Sequence, residues 1–272
     1  MTKKVFKYTL LVLASVSMIA PFLIMVLISF SSQNTISFTD LSGITQNLTL
    51  KNYSDVANTI PIGRYFFNSC FVSILTMIGQ ILISTLAGYA FARMQFKGRD
   101  LIFFIILITM FIPPQVNIIP LFFLMRELHL VNSFPALILP GIFGGFGIFM
   151  MRQHFLSFPK ELEDASTIDG CNKLQMFFKI AFPLALPAIA TLGIFTFITS
   201  WNSFIWPLII TNSESMMTLP LGLAVFKGSY REIIEWGDLL ACSVICTLPT
   251  IIIFLLGQKL IMNDMLKGGV KE

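Results

Sequence analysis

Residues 158–183 bring Glu161, Glu163, Asp164 and Asp169 together with Lys160, Lys173 and Lys179 around Gly170, in a chain that is otherwise strongly apolar. The chemistry available to this island is recognition by charge. Ser157 can cap a helix, and Pro159 suits a first turn, where a missing N–H does no harm. Glu161, Glu163 and Asp164 then lie near the positive end of that helix. Leu162, Ala165 and Ile168 recur at three-residue spacing and give one apolar edge. Gly170 falls where the helix should stop and tolerates a left-handed cap. A second helical run over 172–180 leads to Pro183. The expected product is a short helix, a sharp turn and another short helix. A helix that lies on lipid usually carries a basic polar face. This one is net acidic, so a soluble protein partner accounts for it better.

The rest of the chain offers little reaction chemistry. It contains no Gly-x-x-x-x-Gly-Lys-Ser/Thr phosphate loop, no His-Glu-x-x-His and no Gly-x-Ser-x-Gly. His129 and His154 have no partner motif. Cys70, Cys171, Cys242 and Cys246 form no Cys-x-x-Cys pair, and Cys242 and Cys246 read as small hydrophobes on one apolar helix. No basic run with interleaved aromatics points to nucleic acid.

The elements that must position the island are membrane spans. Of 272 residues, 56% are apolar and 12% charged, with a mean hydropathy of +0.82. That is too few charges for a water-facing surface, so lipid is the solvent for much of the chain. Six segments are long and apolar enough to cross: 8–30, 65–91, 101–125, 134–151, 182–211 and 239–260. The first follows Lys3, Lys4 and Lys7 and reads as a retained span rather than a signal peptide. The fourth is interrupted by Pro140, Gly141, Gly144, Gly145 and Gly147 and is expected to bend; Gly141 and Gly145 have the spacing of close helix packing. With the N-terminus inside, thirteen of the eighteen Lys and Arg fall on inner segments and five on outer ones. This places both termini and the 157–181 loop in the cytoplasm. Two outer connections, 31–64 and 212–238, are long and polar. All of it reads as one transmembrane domain.

None of the six spans holds a mid-membrane Asp, Glu, Lys, Arg or His, which proton-coupled carriers usually need. A transporter with neither such a site nor a phosphate loop must take its work from a partner. Gln115 and Asn117, among Pro113, Pro114 and Pro120, mark a kinked helix whose freed carbonyls could line a path. Trp201 and Asn202 pair an aromatic face with a polar amide, which suits a sugar, but interhelical glue is the more ordinary role of such an Asn. Trp206, nearer the end of the fifth span, reads as part of an interfacial aromatic belt.

The island's spacing resembles the EAA loop of bacterial ABC importer permeases: Glu-Ala-Ala, three residues, Gly, nine residues, Ile-x-Leu-Pro. Asp164, Ala165 and Ser166 fall on its first three positions, Gly170 on the glycine, Ile180 on the isoleucine, and Phe182-Pro183 on Leu-Pro. The departures are Asp164 for Glu, Ser166 for Ala and Phe182 for Leu. Phe111-Ile112-Pro113-Pro114, Leu130-Val131-Asn132 and Trp201-Asn202-Ser203-Phe204-Ile205-Trp206-Pro207 are similar to segments of carbohydrate permeases. The tail, Leu266-Lys267-Gly268-Gly269-Val270-Lys271, is similar to that of the maltose-type subunit.

The resemblance implies an all-α, six-span MetI-like permease, paired with a second, related permease. It implies two ATP-binding cassette subunits that bind ATP and Mg, with no cofactor in this chain, and an extracytoplasmic solute-binding protein. It assigns ATPase coupling to Glu161, Glu163, Asp164, Ala165, Ser166, Asp169, Gly170, Ile180 and Pro183. Contact of the tail with the ATPases falls to Lys267, Gly268 and Gly269, and contact with the binding protein to the outer loop 212–237. The solute would be a sugar or oligosaccharide. A permease for another solute, such as glycerol phosphate, and an ion-coupled carrier without an ATPase are the rival readings.

Overall fold

Backbone groups in so apolar a chain have no water to bond, and the helix satisfies them within its own segment. Among the described residues of the computed structural model, 2–32, 48–159, 161–229 and 235–269, every regular element is helical, and the pairing of Ser31 with Leu48 is an isolated antiparallel bridge. In chain order the helices are α1 (Thr2–Ser29), α2 (Lys51–Thr59), α3 (Ile62–Arg93), α4 (Arg99–Thr109), α5 (Pro114–Glu127, opening with a 3-10 turn), α6 (Phe134–Ile142) and α7 (Gly145–Leu156). There follow α8 (Glu161–Ile168), α9 (Lys173–Leu184), α10 (Leu186–Trp201), α11 (Ile205–Ile210), α12 (Leu219–Ser229) and α13 (Trp236–Gly269).

Three of these, α1, α3 and α13, are long and apolar enough to cross a membrane unbroken. Three more crossings are bent pairs: α4 with α5 at 95°, α6 with α7 at 40°, and α9 with α10 at 74°. Counting each pair once gives the six expected spans. The sharpest break is in the third span, not in the glycine-rich fourth. There Pro113 and Pro114 follow one another, two residues without an N–H to continue the ladder. The fifth span also differs from expectation. It ends at Trp201, and 205–210 is a separate helix, α11, after a break at Asn202. The long connections 31–64 and 212–238 hold α2 and α12.

The chain divides into two compact units. The first comprises Met1–Phe66 and Leu219–Pro249. In it, Asn52 Nδ2 donates to the carbonyls of Ser29 and Ser31 at 2.9 and 2.8 Å, and Ser29 Oγ meets the Tyr53 hydroxyl at 2.8 Å. These contacts hold α2 against the end of α1. Most of the described length of α1 is otherwise uncovered by its own chain. Buried Tyr65 packs against Gly222 of α12, and Asp238, in the first turn of α13, is buried too.

The second unit comprises Phe67–Thr218 and Thr250–Glu272. Its centre is α3 laid along the bent α6–α7 pair with little between the backbones. A Cβ on Gly141 would stand 2.6 Å from Thr76 Cγ2, and one on Gly88 2.6 Å from Met151 Cβ. Gly144 and Gly147 face Gln80 and Ser84 in the same way. The close packing expected of Gly141 and Gly145 is present, but not on one face: Gly145 abuts Ile106 and Met110 instead. Proline and tryptophan complete α6 together. Pro140 has no N–H for the carbonyl of Ala136, four residues back, and Trp206 Nε1 donates to that carbonyl at 2.9 Å. Trp206 is thus spent on an internal hydrogen bond rather than serving only as a belt residue. Asn132, at φ 61°, accepts at Oδ1 from the N–H groups of Asn212 and Ser213 at 3.0 and 3.2 Å, which ties the α5–α6 turn to the end of α11.

Candidate functional site

The charged island folds as a helix, a turn and a second helix. Ser157 does not open α8; it ends α7, its hydroxyl donating to the His154 carbonyl at 2.7 Å. The helix begins at Glu161 and carries Glu161, Glu163 and Asp164 in its first turn, where the exposed N–H groups favour anions. Its end is as the sequence implies. Gly170 adopts φ 75°, its N–H bonds the Thr167 carbonyl at 3.1 Å, and Cys171 N–H bonds the Ser166 carbonyl at 3.0 Å. That pair of reversed bonds is a Schellman motif. Asn172 then opens α9 with a reciprocal capping box. Its Oδ1 accepts from Gln175 N–H at 2.8 Å, and Gln175 Oε1 accepts from Asn172 N–H at 2.9 Å. The Asn-x-x-Gln spacing was the available signal for this cap.

The expected apolar edge of α8 is turned away from its own protein. Ile168 is 85% exposed and Leu162 is exposed. The inward side is Glu163 and Ser166, the latter buried with its hydroxyl on the Glu163 carbonyl at 2.8 Å. Glu161, Asp164, Asp169 and Gly170 are exposed, and Ala165 is part of the helix. The buried positions of this eight-residue helix thus include polar residues, leaving an acidic surface with Ile168 bare and Leu162 partly exposed.

The inward anchor is Arg93, the last residue of α3. Its Nη1 pairs with Glu163 Oε1 at 2.6 Å, with side-chain exposures of 10% and 22% for the two residues. Its Nε and Nη2 donate to the Phe155 carbonyl at 2.9 and 2.6 Å, and Nη2 also to the Phe158 carbonyl at 2.5 Å. An aromatic floor lies beneath, with Tyr89 5.4 Å from Phe155 and 5.1 Å from Phe177 between ring centroids. Sequence reasoning counted Arg93 only as an inner-side charge. No local spacing links it to a loop some seventy residues on.

Ile180 lies in a π-helical stretch of α9, Phe177–Ala181, and exposed Pro183 follows it. Pro183 has no N–H for the Lys179 carbonyl, so the helix widens ahead of it. Lys267, Gly268 and Gly269 are the last described residues of α13, so the described part of the tail is helical; residues 270–272 lie outside the described residues. Gln115 and Asn117 are exposed on the 3-10 turn that opens α5. Trp201 is only 1% exposed, stacked on Phe197 at 5.7 Å, while Asn202 is exposed and donates to the Ile198 carbonyl at 2.9 Å.

Six apolar crossings, three of them broken, with a protruding acidic helix clamped beside the end of the second, define a membrane-embedded transport component. The family described as "Binding-protein-dependent transport system inner membrane component" matches residues 80–266, and the chain belongs to it. Among its relatives is an arabinooligosaccharides transport system permease protein, AraQ, of Halalkalibacterium halodurans. It is 40% identical over 225 residues, covering 82% of this chain and 80% of the relative. The trehalose/maltose transport system permease protein MalG of Thermococcus litoralis is 33% identical over 281 residues, covering 100% and 99%. A crystal structure of a bacterial ABC transporter involved in the import of the acidic polysaccharide alginate contains a chain of the same fold. Its TM-score is 0.85 at 24% identity, over 95% of this chain and 96% of that one. The expected all-α, MetI-like permease fold is therefore the observed one. As a member of this family the protein is a transporter subunit rather than an enzyme. It resides in the membrane and works with ATPase and binding-protein partners in general.

Proposed function

We propose that this chain is one of two permease subunits of an importer for a sugar or oligosaccharide, with α8 as its ATPase-docking helix. The observation that carries the reading is the outward face of α8: acidic side chains beside bare Ile168 and partly exposed Leu162, on a helix fixed at both ends. A cationic, partly apolar groove on an ATP-binding cassette subunit fits that face. Glu161, Asp164 and Asp169 meet the partner's charges, Leu162 and Ile168 fill its groove, and Gly170 with the Asn172 box sets the angle at which the loop returns to the membrane. Ile180 and Pro183 shape that return. Both termini lie in the cytoplasm with the loop, and Lys267, Gly268 and Gly269 reach the ATPases from the end of α13. ATP and Mg are held by those subunits. The second permease is a related but different chain, and an external binding protein delivers the solute to the side of α12. All 272 residues serve as one transmembrane domain.

A sugar is favoured because relatives at 40% and 33% identity are named for arabinooligosaccharides and for trehalose and maltose. Asn202, Gln115 and Asn117 face outward at helix breaks, where freed backbone groups add polar partners. They, with Trp201 behind Asn202, are assigned to the path. Trp201 enters it only when α10 and α11 move at the break between them.

The test is reconstitution of the chain with its second permease, ATPase and binding protein in liposomes, offering labelled arabinotriose and maltose. Uptake that requires ATP and the ATPase subunit is expected. Uptake by the isolated chain, or failure of any ATPase to copurify with it, refutes the reading.

A further inference from the structure

Between α7 and α8 the chain has only a short connection, 157–160, and a helix of eight residues beyond it. Such a helix, pushed by a partner, would swing on its connection and leave the spans behind unless something ties it to them. The Arg93 guanidinium lies at that point. Its planar fork holds the Phe155 and Phe158 carbonyls, which belong to the end of α7 and to the connection, and its third nitrogen holds Glu163 on α8. The Phe155 carbonyl sits in the last turn of α7, where it also accepts from the Phe158 N–H at 3.2 Å and where the helix end is negative. One cation on the final residue of α3 therefore joins three consecutive pieces of chain. Its carbonyl bonds are short and charge-assisted, and its side chain is only 10% exposed beside the Glu163 carboxylate. A lysine could not reproduce the arrangement, having one point of charge in place of a fork.

We propose that Arg93 is the positioning residue that makes α8 and α3 move as one body, so that force on the docking helix is delivered to the second span rather than absorbed in the 157–160 connection. The inference rests on the reading of α8 as the ATPase-docking helix. α3 suits the task. It is unbroken over 32 residues, roughly 48 Å at 1.5 Å per residue, and it packs along α6 and α7 through Gly141, Gly144, Gly147 and its own Gly88. A displacement of α8 that left α3 in place would break the Glu163 pair and strain both carbonyl bonds together. One that carried α3 along would keep them all. Arg152 provides the contrast. It donates to the Phe91 carbonyl at 3.3 Å and lies 4.2 Å over the Phe103 ring, bracing α7 against α3 and α4.

The experiment uses the assembled transporter in liposomes, with its four native cysteines replaced and spin labels at Leu86→Cys on α3 and Thr167→Cys on α8, both exposed positions. In the native background one narrow distance is expected, the same without nucleotide and with ATP plus vanadate. In Arg93→Gln it should broaden and shift between the two states, and ATP hydrolysed per arabinotriose or maltose taken up should rise about tenfold. Glu163→Gln, which keeps the carbonyl bonds, should raise the ratio by a smaller factor, and Arg93→Lys should not restore it. Arg152→Gln should lower thermal stability and leave the ratio native. The proposal is overturned if the native distance itself changes between states, if Arg93→Gln assembles with a native ratio, or if Arg152→Gln raises the ratio equally. Should Arg93→Gln fail to assemble, Glu163→Gln decides: a native ratio there also overturns it. If no ATPase assembles on the native chain, the functional reading falls first, a result distinct from all of these.

Discussion

Replacement of Gly170 isolates backbone conformation from packing. A Cβ built there meets nothing within 4 Å, while φ is 75°. Side-chain size should therefore matter only through the backbone. An L-residue in the left-handed region costs roughly 1–2 kcal/mol, offset by about 0.4–1 kcal/mol because Gly→Ala also restricts the unfolded chain. The net cost of Gly170→Ala, about 0–1.6 kcal/mol, corresponds to as much as about 15-fold more frequent opening of the turn, at 1.36 kcal/mol per decade. Asn tolerates the conformation and should cost less; Val, branched at Cβ, should cost more. The probes are the Gly170 and Cys171 amides, whose protons lie on the Thr167 and Ser166 carbonyls. Hydrogen exchange at these two sites should accelerate in the order Gly, Asn, Ala, Val, and ATP consumed per solute should follow the same order. Equal exchange in all four proteins, or an Asn variant as impaired as Val, would refute the reasoning.

Three further outcomes are expected. Ile168→Glu, at a site without packing to lose, should change stability by less than about 0.5 kcal/mol while reducing copurification of the ATPase subunit; normal recovery would remove Ile168 from the docking face. Trp206→Phe strips the Ala136 carbonyl of its donor and should cost about 1 kcal/mol, measured as a lower unfolding midpoint in detergent. Combined with Pro140→Ala, which supplies an N–H within α6, the cost of Trp206→Phe should largely vanish; additive losses would show that the indole is not serving that carbonyl. Gly88→Ala drives a methyl toward Met151 Cβ and the Arg152 backbone nitrogen, 2.6 and 2.9 Å away. It should destabilise by about 1–3 kcal/mol, whereas Gly63→Ala, with nothing nearby, should not show that overpacking loss.

The sequence made legible whatever depends on neighbours in the chain. The apolar runs mark the crossings because bilayer thickness fixes their length, and Gly170 marks the turn because few other residues accept its φ. The reading failed where a distant residue decides. Ser157 has the type of an N-cap but lies at the end of the preceding helix. Leu162 and Ile168 have the spacing of a buried edge, yet Arg93 draws Glu163 inward and turns that edge out. The fifth span reads as continuous through residue 211, since hydropathy does not register a break at Asn202. The fourth looked weaker than the third because glycines interrupt it over a longer stretch. Yet two adjacent prolines bend the chain further than glycines packed against Thr76, Gln80 and Ser84.

The bond from Trp206 to Ala136 also dictates a schedule. Its donor is 70 residues downstream of its acceptor, so at 5–20 residues per second the ribosome needs roughly 4–14 s to supply it. Throughout that interval a proline-interrupted segment stands ready for the bilayer with one carbonyl that hydrocarbon cannot satisfy. Nascent chains halted before residue 206 should accordingly hold this segment loosely, near the translocon or the interface, and biogenesis of the fourth crossing should finish only when the indole emerges.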